Sequence, residues 1–145
     1  MKLMLSAVFA LLGALIALYL LLHSLGYSSL VCPISGCEKV QASVYSKILG
    51  IPVSAYGMVL FLGLLGCAVY GVLNETNTTA PRLLLLGSSL GVVGYMYFTY
   101  LEAFVIKAWC FWCVCSSLCM LVIFGCALIG KSIRSAQSLS LGETS

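Results

Sequence analysis

Four long apolar runs alternate with short polar segments along this chain. The runs cover residues 3–22, 53–73, 83–106 and 112–130. Each holds roughly 20 residues, which as a helix would span about 30 Å, the thickness of the hydrocarbon core of a bilayer. Backbone polar groups in lipid must be hydrogen-bonded within the protein, so each run is predicted to be a helix. The pattern predicts an all-α membrane protein, a bundle of four transmembrane helices, and no segment carries a strand signal.

The polar segment after the first run has a pattern of its own. In EKVQASVYSKIL, apolar residues recur at Val40, Val44 and Ile48, with polar residues between them. This spacing predicts a short amphipathic helix that lies at the membrane interface in the first loop. The alternative is a plain surface linker, and the regular apolar stripe argues against it.

Composition agrees with membrane burial. The chain has 145 residues, of which 62% are hydrophobic and 8% are charged, whereas a soluble domain carries about a quarter charged residues. The net charge of +3 is small and scattered, which argues against a nucleic-acid-binding surface. We expect one transmembrane domain over residues 1–130 and a Ser-rich, disordered cytoplasmic tail over residues 131–145.

The basic residues orient the predicted bundle. An even number of spans places both termini on the same side, with four Lys/Arg residues there and three on the other side. Lys131 and Arg134 directly follow the last span and favour a cytoplasmic C-terminus. The first and third loops are therefore predicted to be extracytoplasmic. No A-x-A site follows the first run, so it is predicted to be a retained helix rather than a cleaved signal peptide.

Two cysteine pairs stand out. Cys32 and Cys37 lie in the first loop with four residues between them, and Cys110 and Cys113 form a C-x-x-C where the third loop enters the fourth helix. Two membrane spans separate the first loop from the third, so both pairs lie on the same side of the membrane. The dipole of a helix N-terminus favours the thiolate of the first C-x-x-C cysteine, and a thiolate is the species that attacks disulfides. The two pairs therefore indicate a redox relay.

Two other interpretations of the pairs are a metal site and a set of structural disulfides. Zinc would be held best by a second C-x-x-C or a pair of histidines, and His23 is the single histidine of the sequence. A compact membrane bundle does not need disulfide staples. We therefore favour the relay and expect no metal. The remaining cysteines, which lie within helices, are expected to serve as small packing residues.

Aromatic residues cluster near the outer end of the third run and around the C-x-x-C. They are Tyr95, Tyr97, Phe98, Tyr100, Phe104, Trp109, Phe111 and Trp112. An interfacial aromatic belt explains part of this cluster, and a flat aromatic acceptor bound between the helices would explain it as well. Trp112 is a predicted contact of such an acceptor. Glu102, in the same region, is expected either to pair with Lys107 or to be exposed at the interface.

These features resemble the vitamin K epoxide reductase family in its small prokaryotic four-helix form. The resemblance covers nearly all of residues 3–130. It rests on the paired cysteines of the first loop, on the stretch EKVQASVYSKILGIPVSAYG that follows Cys37, and on the C-x-x-C that opens the fourth helix.

The resemblance implies a thiol–disulfide oxidoreductase of the inner (plasma) membrane that uses a quinone and supports disulfide-bond formation. A thioredoxin-like partner protein would exchange with Cys32, and Cys37 would pass electrons to Cys110. Cys113 would face a membrane quinone of the ubiquinone, menaquinone or vitamin K type. The quinone would lie between the helices, beneath the amphipathic segment.

The resemblance also places Ser43 and Tyr56 at the border of the quinone, where an O–H group would stabilise the charge that a carbonyl gains on reduction. The animal enzymes carry an Asn and a Tyr where this sequence has Val53 and Ser117. This departure favours disulfide formation with a respiratory quinone. A vitamin K epoxide or quinone reductase, and a non-enzymatic membrane subunit with structural disulfides, are the alternatives.

Overall fold

The computed structural model describes residues 1–29, 31–33, 36–74 and 79–142. Its α-helices are α1 (Lys2–Ser24), α2 (Cys37–Gln41), α3 (Val53–Leu73), α4 (Thr79–Tyr100) and α5 (Phe111–Gly142). Shorter elements are a 3-10 helix (Val44–Ser46), strands β1 (Lys47–Ile48) and β2 (Ile51–Pro52), and a π-helix (Leu101–Ile106).

Four stretches of the described chain are helices long and apolar enough to cross a membrane. They are Lys2–Ser24, Val53–Leu73, Thr79–Ile106 and Phe111–Ser140. The prediction of a mostly helical protein with four membrane-spanning helices is confirmed.

Small residues on α1 let the bundle close. Ala10, Ala14 and Ala17 are buried on one face of α1, and a methyl group added at Gly13 would overlap the ring of Phe61 on α3. Lipid supplies no hydrophobic force between helices, so their association depends on close van der Waals packing, which small residues allow. As a result α1 packs along both α3 and α5, and Phe61 is fully buried in the core.

The first loop differs from the predicted amphipathic helix. α2 ends at Gln41, and of the predicted apolar stripe only Val40 is buried, whereas Val44 is 90% exposed. Serine side chains explain the break, because they can hydrogen-bond the backbone in place of the helical pattern. Ser43 Oγ donates to the carbonyl of Val40 at 2.7 Å, and Ser46 Oγ donates to that of Gln41 at 2.6 Å. The position of this segment at the membrane interface stays a prediction.

A small hairpin follows, in a segment whose sequence carries no strand signal. β1 and β2 pair antiparallel, with Ile48 opposite Ile51. Leu49 and Gly50 form the turn with φ of 55° and 82°, which is the left-handed conformation that two-residue hairpin turns require. Two-residue strands are too short to show the alternation by which a strand is recognised in a sequence.

The C-terminal ends of α4 and α5 also differ from the prediction. α4 continues into the π-helix, and Lys107 ends it in the left-handed conformation with φ 51°. α5 runs on to Gly142, so the structure shows helix for residues 131–142, where a disordered tail was predicted. The sequence after residue 130 contains no proline and no glycine before Gly142, and extending an existing helix costs far less than starting one.

Candidate active site

The two cysteine pairs meet at one end of the bundle. Cys37 opens α2 and Cys110 directly precedes α5, and both are fully buried in one cluster with Val40 and Ala108. Cys32 and Cys37 form a disulfide with a Cα–Cα distance of 6.2 Å. Cys110 and Cys113 are free thiols. The structure therefore holds an oxidised outer pair packed against a reduced inner pair.

Close backbone contact brings the first loop onto the inner pair. Gly36, the residue before Cys37, is buried so tightly that an added methyl group would overlap the carbonyl oxygen of Trp109. Only glycine allows this approach at that position.

Trp112, the predicted quinone contact, also holds the first loop, and its contact with a quinone stays a prediction. Its Nε1–H donates to the carbonyl of Val31 at 3.0 Å, and its ring lies 5.3 Å from that of Tyr19, centroid to centroid. The Val31 N–H in turn donates to the Tyr19 hydroxyl at 2.9 Å. These contacts hold the partly buried Trp112 ring against the first loop.

Cys110 occupies the N-cap position of α5. Its carbonyl accepts the first helical hydrogen bond, from Val114 N–H at 3.0 Å, and its Sγ accepts from Cys113 N–H at 3.4 Å. A hydrogen bond from the Cys113 thiol lowers the pKa of Cys110, and the backbone N–H groups of Cys113 and Trp112 add to this, against the opposing effect of burial. The direction agrees with the thiolate predicted for the first cysteine of the motif.

A cavity of about 220 Å³ lies between α1, α3, α4 and α5 beneath the first loop. Its wall is mainly apolar and includes Val53, Leu60 and Phe98. The polar groups that line it include Ser43, Ser54, Tyr56, Tyr95, Glu102 and Cys113. Cys113 is thus the cysteine of the inner pair that reaches this cavity, while Cys110 packs in the cluster with Cys37.

The two hydroxyls predicted to border a quinone do line the cavity, yet both already donate to backbone carbonyls. Ser43 bonds Val40, as above, and the Tyr56 hydroxyl donates to Ile48 at 3.3 Å. Ser54, which was not among the predicted site residues, differs from both. Its Oγ is buried and has no hydrogen-bond partner among the described residues, so it is a buried cavity hydroxyl that is free to bind a ligand.

Glu102 lies at the centre of the site, neither paired with Lys107 nor exposed as expected. Its side chain is only 5% exposed, and its Oε2 accepts a hydrogen bond from Cys110 N–H at 3.3 Å. The carboxyl also hydrogen-bonds the Cys113 thiol. Glu102 belongs to the π-helix, a wider turn that is frequent at functional sites. A signal was present in the sequence, since an ionisable residue within a membrane span is functional by default.

Tyr95 and Ser116 form a second polar link to the inner pair. The Tyr95 hydroxyl shares a hydrogen bond with Ser116, whose Oγ donates to the carbonyl of Cys113 at 3.0 Å. This link fixes the first turn of α5 against α4.

The remaining cysteines lie away from this cluster. Cys119 is buried in the main core, and Cys67, Cys115 and Cys126 are partly buried free thiols. Among the described residues, no three His, Cys, Asp or Glu side chains are grouped so that they could hold a metal ion.

The sequence matches a family model described as "Vitamin K epoxide reductase family" over residues 4–128. The match covers most of the 145-residue chain and includes both cysteine pairs and every residue that lines the cavity. This is a family of membrane oxidoreductases associated with quinones and with thiol–disulfide exchange. The chain belongs to the vitamin K epoxide reductase family.

Proposed function

We propose that this protein is a quinone-dependent thiol–disulfide oxidoreductase that supports disulfide-bond formation. Electrons pass from a thioredoxin-like partner through Cys32 and Cys37 to Cys110 and Cys113, and then to a membrane quinone. One observation carries the proposal: the two cysteine pairs pack together, and Cys113 also lines a cavity between the helices.

The order of exchange follows from exposure and acidity. Cys32 is the partly exposed sulfur of the outer disulfide, whereas Cys37 is fully buried, so a partner thiolate attacks Cys32 and Cys37 leaves. The second thiolate of the partner then breaks the mixed disulfide, so the partner leaves oxidised and both outer cysteines are reduced. The Cys37 thiolate attacks Cys110 of an oxidised inner pair and expels Cys113, which forms a Cys37–Cys110 disulfide. Cys32 closes the outer disulfide again and releases the inner pair as two thiols. The lowered pKa of Cys110 makes its sulfur a good leaving group in this exchange.

The cavity suits the headgroup of the acceptor. Its volume of about 220 Å³ is below the roughly 300–1,000 Å³ of sites that enclose a whole drug-sized ligand. A flat ring would fill it, with the isoprenoid tail lying between the helices and the lipid. The free Ser54 hydroxyl would donate to one quinone oxygen as that oxygen gains charge.

The compartment follows from the chemistry. Disulfide relays operate where thiols are not kept reduced, which in bacteria is outside the cytoplasmic membrane. We therefore place both cysteine pairs on the extracytoplasmic face of the inner (plasma) membrane, where the partner would be an exported disulfide carrier.

The test is anaerobic reduction of the purified protein by a dithiol, with added quinone followed by absorbance. We expect the parent protein to turn over quinone and Cys113→Ala to lose turnover by at least about a hundredfold, because the electron pair has no route into the cavity. Cys67→Ala, a partly buried cysteine on α3, is the matched control and should keep the parent rate. Normal turnover by Cys113→Ala, or none by the parent, would refute the proposal.

A further inference from the structure

The site contains a buried acid that the relay alone does not use. Reduction of a quinone requires two electrons and two protons, and a dithiol supplies both only if its protons reach the quinone oxygens. Glu102 is 5% exposed, lines the cavity and hydrogen-bonds both the backbone N–H of Cys110 and the thiol of Cys113. No other acidic side chain of the described residues lines this cavity.

We propose that Glu102 is a further catalytic residue, which carries the proton of the Cys113 thiol to an oxygen of the bound quinone. The proposal rests on the proposed function of the relay. A carboxyl group can accept and release a proton without moving its backbone, and general acid–base groups of this kind accelerate reactions by about 10²–10⁴-fold.

The step balances as follows. The Cys113 thiol gives its proton to the Glu102 carboxylate, and Cys110 reacts as the thiolate after releasing its proton to water. The two sulfurs form a disulfide bond and give up two electrons, which the quinone accepts. Protonated Glu102 returns its proton to one quinone oxygen, and the other oxygen takes a proton from water. The products are the Cys110–Cys113 disulfide, the quinol and the Glu102 carboxylate.

The surroundings of Glu102 favour this role over a charge pair. The groups in contact with its carboxyl are the backbone N–H of Cys110 and the thiol of Cys113. On α2, the charged Glu38 and Lys39 are exposed, and Tyr95 on α4 is hydrogen-bonded to Ser116. A proton on the Glu102 carboxyl can therefore be exchanged with the Cys113 sulfur or with a ligand in the cavity.

Two substitutions separate a proton carrier from a structural group. Glu102→Gln keeps the length of the side chain and an oxygen for Cys110 N–H, but it cannot carry a proton. Glu102→Asp keeps the carboxyl and shortens its reach. If Glu102 carries a proton, quinone reduction by the pre-reduced protein should fall at least about a hundredfold in Glu102→Gln and clearly less in Glu102→Asp. A structural role predicts the opposite order.

Thiol exchange between the two pairs is measured in the same variants, without quinone. We expect Glu102→Gln to exchange within about threefold of the parent rate, and the exposed control Glu38→Gln to match the parent in both assays. A parent rate of quinone reduction in Glu102→Gln would overturn the inference, as would a Gln variant faster than the Asp variant or a variant that loses exchange as well. Absence of quinone reduction in the parent would instead refute the proposed function.

Discussion

Single side chains decide which hydrogen bonds the cavity can make to a ligand. Four of its hydroxyl groups have similar chemistry, but Ser43, Tyr56 and Tyr95 are hydrogen-bonded within the protein, and Ser54 is not. Leaving a buried hydroxyl without a partner costs free energy. A ligand oxygen beside Ser54 would remove that cost, so we expect Ser54 to contribute more to binding than Ser43, Tyr56 or Tyr95.

Ser54→Ala is expected to slow quinone reduction by about 3–10-fold, since one neutral hydrogen bond contributes about 0.5–1.5 kcal/mol. The rate of quinone reduction by the pre-reduced protein measures this effect. Ser43→Ala should change that rate less, because its hydroxyl donates to Val40 in the free protein. Ser89→Ala is the control, as its hydroxyl is exposed and bonds only its own helix at Leu86. A larger effect for Ser43→Ala than for Ser54→Ala would contradict this assignment.

At the scale of elements, two irregular segments build the site. The first loop breaks into α2, a 3-10 turn and a hairpin, and so lies across the end of the bundle with Cys37 buried beneath it. The π-helix at the end of α4 holds Glu102 inside the bundle, and the loop of residues 107–110 leads from it to α5. Regular helices alone would not bring a first-loop cysteine, a carboxyl and the N-terminus of α5 together.

Gly36→Ala tests the docking of the first loop. The added methyl group would overlap the Trp109 carbonyl, so the loop must shift and carry Cys37 away from Cys110. We expect thiol exchange between the two pairs to slow by about tenfold or more, since small misplacements of reacting atoms cost up to about 10²-fold. Stopped-flow measurement of exchange checks this.

The same variant has an internal control. Quinone reduction by the pre-reduced inner pair should fall much less than thiol exchange in Gly36→Ala, because most of the residues that line the cavity belong to the membrane-spanning helices and not to the first loop. Gly63→Ala, at a helical site with open space around it, should leave both rates unchanged. Normal exchange in Gly36→Ala would show that the contact with Trp109 does not position Cys37.

For the whole molecule, the arrangement of four spans places both cysteine pairs at one end of the bundle and the end of α3 at the other. Lys39 on α2 and Asn74 after α3 are exposed residues at these opposite ends. They serve as reporters of topology, because Cys37 and Cys110 are too deeply buried for labelling.

In a variant without native cysteines, Lys39→Cys in intact cells should react with a membrane-impermeant maleimide, and Asn74→Cys should react only after the membrane is opened. Mass shift on a gel measures the labelling. The reverse pattern would place the relay in the reducing cytoplasm and refute the proposed disulfide-forming role.

Local sequence was enough to predict the spans, the grouping of four cysteines into two pairs and the direction in which the pKa of Cys110 is shifted. Apolar length sets a membrane helix through the thickness of the bilayer, and an N-terminal thiol feels its own helix dipole wherever the helix lies. These properties depend on residues that are neighbours along the chain. The family resemblance drawn from the stretch after Cys37 is confirmed for the same reason, since the motif is contiguous.

Tertiary structure decided which side chains share the cavity. Trp112 turns to the first loop because the carbonyl of Val31 lies within reach of its N–H. Glu102 lies inside the bundle because the π-helix places its carboxyl beside Cys110 and Cys113. Ser54 is a candidate ligand contact because its neighbours leave its hydroxyl unpaired. Each outcome depends on residues far apart in sequence, and hydrogen bonds and burial between such residues exist only once the helices have packed.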